Sequence, residues 1–308
     1  MQRGVFRFSV SAPDAGQRLD QYLSAVSSAL SRSFVRRVID FGGVHINGKR
    51  TRSCSHSVRD QDQIEVFCDG LPLQPFALTP SLTVFRDSYL LVLNKPAGID
   101  CQPTPSRFKG TVYSALYDVL ANPRQPRQRP PIGMVQRLDR DTSGLLVFSI
   151  HERAHQGLTQ QFTERTVHKT YLAIVAGQLA AASGEFRSCL AKNRATNLMK
   201  SVEKGGREAV TRYRTLATCS DASLVEVDLL TGRSHQIRVH FSEAGHPLLG
   251  DVRYGGPADI QGHSIDRQLL HAAHLSFCHP ISGQTLTFDA QLPVDMSFFA
   301  RLLFEESL

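Results

Sequence analysis

Gln136-Arg137-Leu138-Asp139-Arg140-Asp141-Thr142-Ser143-Gly144 sets a carboxylate between two arginines, in a turn that leads into the apolar run Leu145-Leu146-Val147-Phe148. Neighbouring positive charge favours the ionised form of such a carboxylate. Gly144 and the small hydroxyl residues let the backbone turn sharply and approach a ligand closely. Taken alone, the same residues also describe an ordinary turn, with Asp139 capping the element that follows. The segments that separate these readings lie elsewhere in the chain.

A chain of 308 residues has room for a large catalytic domain and a smaller module. No stretch approaches the ~20 consecutive apolar residues of a membrane-spanning helix. Met1-Gln2-Arg3-Gly4-Val5-Phe6 lacks the apolar core of a secretory signal, so a cytoplasmic protein free of the membrane is expected. The six cysteines, at 54, 68, 101, 189, 219 and 278, form no Cys-x-x-Cys pair, which argues against structural zinc and for reduced thiols. A net charge of +7 points to an acidic partner such as a phosphate backbone. The positive residues are clustered. Arg32, Arg36, Arg37, Lys49, Arg50 and Arg52 crowd an N-terminal segment, and Arg124, Arg127 and Arg129 sit in a Pro-rich loop ahead of Asp139.

Residues 17–40 read as two short helices. Leu19, Tyr22, Leu23 and Val26 recur at helical spacing, and Leu30 continues that face. Ser33 is the expected N-cap of the second helix, with Phe34, Val38 and Ile39 inward, Arg36 and Arg37 outward, and Gly42-Gly43 as its end. Val44-His45-Ile46 reads as a strand, Asn47-Gly48 as a hairpin turn and Ile64-Glu65-Val66-Phe67 as a later strand. A Pro-rich break follows, giving the expected division: module 1–70, linker 71–80, catalytic domain 81–308. In the last part, strands are expected at 90–93, 171–175, 209–216, 224–229, 273–278 and 285–289, with a helix over 151–163 and another from Ser234 toward Gly245. This spacing fits an α+β fold, a large mixed or antiparallel sheet flanked by helices, and not a doubly wound one.

Arg137-Leu138-Asp139-x-x-Thr142-Ser143-Gly144 resembles the active-site signature of the RluA family of RNA pseudouridine synthases. Further stretches match that family in order: Lys169-Thr170-Tyr171, the run from Thr231 to His240, His246 to Asp251 with Tyr254-Gly255-Gly256, and Leu270-His271-Ala272 ahead of His279-Pro280. Arg18-Leu19-Asp20, Ser33-x-x-x-Arg37 and Val44-x-Ile46-Asn47-Gly48 resemble the S4 RNA-binding module, a small α/β unit that often precedes this family's catalytic domain.

The resemblance implies the pseudouridine synthase fold and a cofactor-free, metal-free isomerase acting on structured RNA. It makes Asp139 the nucleophile, Tyr171 the ring that stacks on the target base and Arg238 the partner of the Asp139 carboxylate. Arg137 enters RNA near the vacated base, and Leu270 lines the base pocket. Arg36, Arg37 and Lys49 become candidate RNA contacts of the N-terminal module. The module also favours large-subunit (23S-type) ribosomal RNA over transfer RNA as the target. Nothing calls for more than a monomer. The stretches 246–251, 254–256 and 270–280 take scaffold roles.

One position departs from the pattern. The family commonly carries histidine before Arg-Leu-Asp, and here it is Gln136, which hydrogen-bonds but carries no charge. That substitution is the one support for an alternative, a catalytically inactive RNA-binding or ribosome-assembly factor. A glycoside hydrolase using Asp139 and Asp141 fits less well, because a retaining pair flanks its substrate ~5–5.5 Å apart. His235 and His240 are five residues apart, off the i, i+4 spacing of a helical metal pair.

Overall fold

The computed structural model describes residues 3–125 and 128–305. Arg127, one of the basic residues ahead of Asp139, lies outside the described residues. The chain forms two compact units, residues 1–79 with 99–130, and 80–98 with 131–308.

In the first unit, β1 (Arg3–Ser9), β2 (Val44–Ile46), β3 (Lys49–Thr51) and β4 (Gln63–Asp69) make an antiparallel sheet in the order β1-β4-β2-β3. Helices α1 (Leu19–Val26) and α2 (Arg32–Phe41) share its core through Leu19, Leu23, Val35, Val38 and Ile39, against Val44, Ile64 and Val66. The cap of α2 differs from expectation. Ser31, not Ser33, holds extended backbone and accepts the Phe34 N–H, while Ser33 is already inside the first turn. Gly42 ends α2 at φ 85. Asn47 and Gly48, at φ 50 and 74, take the left-handed conformations that a tight hairpin demands. β1 alternates Phe6 and Phe8 with Arg7 and Ser9 and packs both rings against the core, a short period-2 signal that the sequence reading left unassigned; its pairing with β4 defines it.

The stretch 71–79 groups with this unit and buries Leu73 in the core. Residues 99–130 group with it too and contain α3 (Val112–Leu120), whose N-terminus is closed by a reciprocal Thr111–Ser114 capping box. Buried Arg107 anchors this segment, its Nε and Nη2 each donating to the Asp69 carboxylate at 2.7 Å.

The second unit is built on an eleven-stranded sheet. Its main path uses β5 (Thr83–Arg86), β6 (Leu90–Lys95), β8 (Ser143–Ser149), β9 (His168–Ala176), β10 (Ser183–Lys192), β11 (Met199–Ser201), β12 (Arg207–Thr218), β13 (Ala222–Leu229) and β16 (Leu270–Cys278). The order is β11-β10-β12-β13-β9-β16-β8-β6-β5, with β7 (Gly133–Met134) on β8 and β17 (Thr285–Asp289) on β16. β14 (Asp259–Ile260) and β15 (His263–Ser264) form a separate ribbon. Helix α4 (Glu152–Glu164) packs Ala154 and Leu158 against Leu145 and Val147 of β8 and Leu90 and Val92 of β6. Helix α6 (Val294–Phe304) packs Met296, Phe299 and Leu303 with Ile174 and Leu224. Helix α5 (Gln236–Glu243) sets Phe241 edge-on against Phe186 and Tyr213.

The pairing is antiparallel except for β8 with β16, which run parallel through His271–Ser143 and Ala272–Gly144. This seam explains Gly144. It has φ +114, and a Cβ there would sit 2.3 Å from the Ala272 carbonyl oxygen. The close approach inferred for Gly144 is therefore to a neighbouring strand and not to a ligand.

Removing one partner of a buried ion pair leaves the other charge uncompensated. Arg107→Met is expected to cost the first unit about 3 kcal/mol, read as an earlier urea transition and faster proteolysis within 99–130.

Candidate active site

Arg137, Leu138 and Asp139 alternate in environment: Arg137 is exposed, Leu138 buried, and the Asp139 side chain 26% exposed. Leu138 pins the turn while its neighbours face outward. The turn that follows is held mainly through its backbone. The Asp139 carbonyl accepts the Thr142 N–H at 3.1 Å. Lys95, only 1% exposed, donates from Nζ to the carbonyls of Arg140 and Pro96 at 2.9 and 2.8 Å. Buried Arg267 donates from Nη1 to the Asp141 carbonyl at 2.9 Å, and forks onto Asp295 through Nε and Nη2. The Thr142 hydroxyl accepts from Gln268, and the Ser143 hydroxyl pairs with His271 Nδ1 at 2.9 Å. The small hydroxyl residues of the motif thus lock the turn to β16 and the segment before it.

Arg238 reaches the turn from α5. Its Nη1 donates to Asp139 Oδ2 at 2.8 Å. Its Nε and Nη2 fork onto Asp251 at 2.6 and 2.7 Å, and its guanidinium carbon lies 4.9 Å from the centre of the Tyr254 ring. The Arg238 side chain is 5% exposed and that of Asp251 1%. Burial by itself would lower the Arg238 pKa, but the hydrogen bonds and charges of Asp251 and Asp139 outweigh it and raise it. One arginine thus serves two carboxylates, with the bidentate pair to Asp251 fixing its plane.

Helix α5 is more deeply buried than the Ile237/Phe241 pattern implies, because every residue from Gln236 to Phe241 is buried. Its polar members are paired. Gln236 accepts from Thr231 and donates to the Val210 carbonyl, and His240 bonds Thr211 and Ser188. At the head of the helix His235 has φ 53. Its Nε2 lies 3.8 Å from Asp139 Oδ1, and its Nδ1 lies 2.7 Å from the Tyr254 hydroxyl.

Tyr171 sits in a row across three strands, paired with Ala272 of β16, which is paired with Gly144 of β8. Leu270 pairs with Ala173 on the same ladder, and both Tyr171 and Leu270 are buried. Of the three residues implied for chemistry, Asp139 and Arg238 are in direct contact and Tyr171 lies on the adjoining strands. In the first unit, Arg36 and Lys49 are exposed, and Arg36 Nε is 4.0 Å from Asp20. Burial tends to raise the Asp20 carboxyl, but hydrogen bonds from Arg18 and Arg32 hold it below its ordinary value. Arg37 Nη2 donates to the Leu73 carbonyl at 2.7 Å. Gln136 Nε2 is buried with no hydrogen-bond partner among the described residues. The site also uses four residues that sequence left as scaffold or unassigned: Lys95, His235, Asp251 and Tyr254.

The sequence profile described as RNA pseudouridylate synthase matches residues 89–243, and that described as S4 domain matches residues 17–64. The chain belongs to the RNA pseudouridylate synthase family. It is an isomerase of uridine in RNA carrying an S4 module, as the sequence resemblance implied. It is 38% identical to "Ribosomal large subunit pseudouridine synthase D" of Zymomonas mobilis, over 94% of each chain. It is 36% identical to the protein of the same name from Neisseria meningitidis serogroup A, over 92% of this chain and 77% of that one. The fold is shared with the solved structure "Human RNA Pseudouridylate Synthase Domain Containing 4", at a TM-score of 0.57 and 23% identity, covering 71% of this chain and 91% of that one. "Human RNA Pseudouridylate Synthase Domain Containing 1" gives 0.54 and 26%, covering 68% and 82%. Among the described residues no helix is long and apolar enough to cross a membrane.

Burial pulls the His271 imidazole down to about 4. Its folded pKa is below the unfolded value, so the stability it contributes is full above about 6.5 and is lost as pH falls toward 4. His271→Gln keeps hydrogen-bonding capacity without the titration. Wild type is expected to lose about 3 kcal/mol more than the variant between these limits, measured by urea unfolding across pH; parallel curves would exclude this role.

Proposed function

We propose that this pseudouridine synthase modifies specific uridines of large-subunit ribosomal RNA, as a cytoplasmic monomer needing neither metal nor organic cofactor. The observation that carries the assignment of chemistry is the Asp139 carboxylate held by Arg238 at 2.8 Å. The ribosomal target is supported by the names of the relatives, which share nearly the whole chain, and by the S4 module.

The reaction breaks the bond between ribose C1′ and uracil N1 and joins C1′ to C5; C5 then loses its proton and N1 gains one, so the product is an isomer of uridine. Uracil departs as a delocalised anion, so departure needs no strong general acid. Asp139 acts either by attacking an electrophilic carbon or by taking a proton from the sugar. Arg238 fixes one carboxylate oxygen, leaving the other to the substrate. Tyr171 offers an aromatic face that accepts a base without reading its edges, and Leu270 lines the pocket beside it. Tyr171 is 7% exposed, so this role calls for the pocket wall to part as the uridine enters. A uridine in structured RNA must leave its stack to reach the carboxylate, and exposed Arg137, two residues ahead, fills the space it vacates. Arg36, Arg37 and Lys49 bind the RNA backbone; the Arg37 bond to the Leu73 carbonyl leaves its other guanidinium nitrogens for phosphate.

Mapping pseudouridine in cells lacking the protein tests both target and residue. Loss of defined sites in large-subunit ribosomal RNA is expected, with transfer RNA unchanged. The wild-type chain restores them and Asp139→Asn does not, although its RNA affinity stays near that of the wild type. Loss confined to transfer RNA would overturn the target. Restoration by Asp139→Asn would remove Asp139 from the chemistry.

A further inference from the structure

Asp139 has two carboxylate oxygens, and the structure surrounds them differently. Oδ2 is bound by Arg238 at 2.8 Å, while Oδ1 faces His235 Nε2 at 3.8 Å. His235 is 21% exposed in its side chain and sits at φ 53, a left-handed conformation uncommon for a non-glycine residue. Strained backbone of this kind persists where the surroundings over-determine it, and it gathers at functional sites.

The tautomer of His235 follows from its neighbours. Burial lowers its pKa below the ordinary histidine value; Asp139 and Asp251 oppose this, and Arg238 and Arg253 reinforce it. A neutral imidazole carries one N–H, and the bond made by one ring nitrogen decides which of the two holds it. His235 Nδ1 lies 2.7 Å from the Tyr254 hydroxyl. That oxygen already accepts the Met199 N–H at 3.0 Å, which leaves its own proton to donate to Nδ1. The imidazole proton then resides on Nε2, directed at Asp139. Tyr254 also packs against the Arg238 guanidinium, so one ring supports both groups that flank the carboxylate.

We propose that His235, fixed by Tyr254 with its proton on Nε2, is a positioning residue of the pseudouridine synthase reaction that holds Asp139 Oδ1 when the target uridine is bound. The gap to Oδ1 is ~0.8 Å longer than an ordinary hydrogen bond, and catalytic hydrogen bonds that are long in the free enzyme tighten in the substrate complex. A carboxylate oxygen has more than one lone-pair site, so a single N–H leaves room for the reacting atom. The inference rests on Asp139 being the reacting carboxylate.

Two substitutions separate this role from packing. Asparagine tolerates left-handed backbone, and its amide reaches toward Tyr254 but falls short of Asp139. Glutamine returns an N–H donor near the Nε2 position. Single-turnover pseudouridine formation by His235→Asn is expected to fall about 10- to 100-fold, the loss of one hydrogen bond to a charged group, with RNA affinity and Tm unchanged. His235→Gln recovers most of the rate. A His235→Asn rate within about twofold of wild type, or a His235→Gln protein with wild-type Tm that is as slow as His235→Asn, overturns the proposal. Asp139→Asn in the same assay separates the two levels. An active Asp139→Asn enzyme overturns the Asp139 assignment and this proposal together, whereas an inactive one beside a fully active His235→Asn overturns this proposal alone.

Discussion

A single buried guanidinium organises the site. Arg238 forks onto Asp251 with two of its nitrogens and gives a third to Asp139. A buried cation is costly unless it is paired and hydrogen-bonded, and here two carboxylates and the face of Tyr254 surround it. Asp251 is the more enclosed partner and sets the plane of the guanidinium. Asp139, partly exposed, meets the edge that remains. A flexible lysine would supply charge without that fixed plane. Loop 246–251 therefore bears on the placement of the Asp139 carboxylate through geometry.

The turn carrying Asp139 is held just as firmly from behind. Lys95 and Arg267 bind the carbonyls of Arg140 and Asp141, and Gly144 permits the parallel seam with Ala272. A carboxylate on a loop gains accuracy when buried groups fix the backbone beneath it. Much of the motif around Asp139 is thus devoted to joining a turn to a sheet: Leu138, Thr142, Ser143 and Gly144 are buried, while Arg137 is exposed and Asp139, Arg140 and Asp141 are partly open to solvent.

The elements of strongest periodicity were legible in the sequence. β17 was expected at its observed bounds, α4 within a residue at each end, and the Asn47-Gly48 hairpin follows from its turn chemistry. β10 was not legible, since its exposed and half-exposed residues are mostly charged or small and alternate without a clear apolar face. Nor was the grouping of residues 99–130 with the N-terminal unit, because it comes from contacts between distant positions, such as Arg107 with Asp69, Lys109 with Asp40 and Phe108 with the Phe41 carbonyl. In the site, Asp139 and Arg238 were singled out because the resemblance to the RluA family marks them, and the structure brings the two into contact. Asp251 and Tyr254 were read as loop punctuation beside glycines, and His235 was weighed only as a metal ligand. Their roles come from contacts between segments far apart in sequence, such as Met199 with Tyr254 and Asp139 with His235.

The dependence of Asp139 on a guanidinium aligned by Asp251 is most directly tested by a double-mutant cycle on single-turnover pseudouridine formation, with Arg238→Lys, Asp251→Asn and the pair. If Asp251 acts through Arg238, each single substitution slows the reaction strongly and the double variant is little slower than the worse of the two. Losses that simply multiply would show two independent contributions and contradict the shared-guanidinium arrangement.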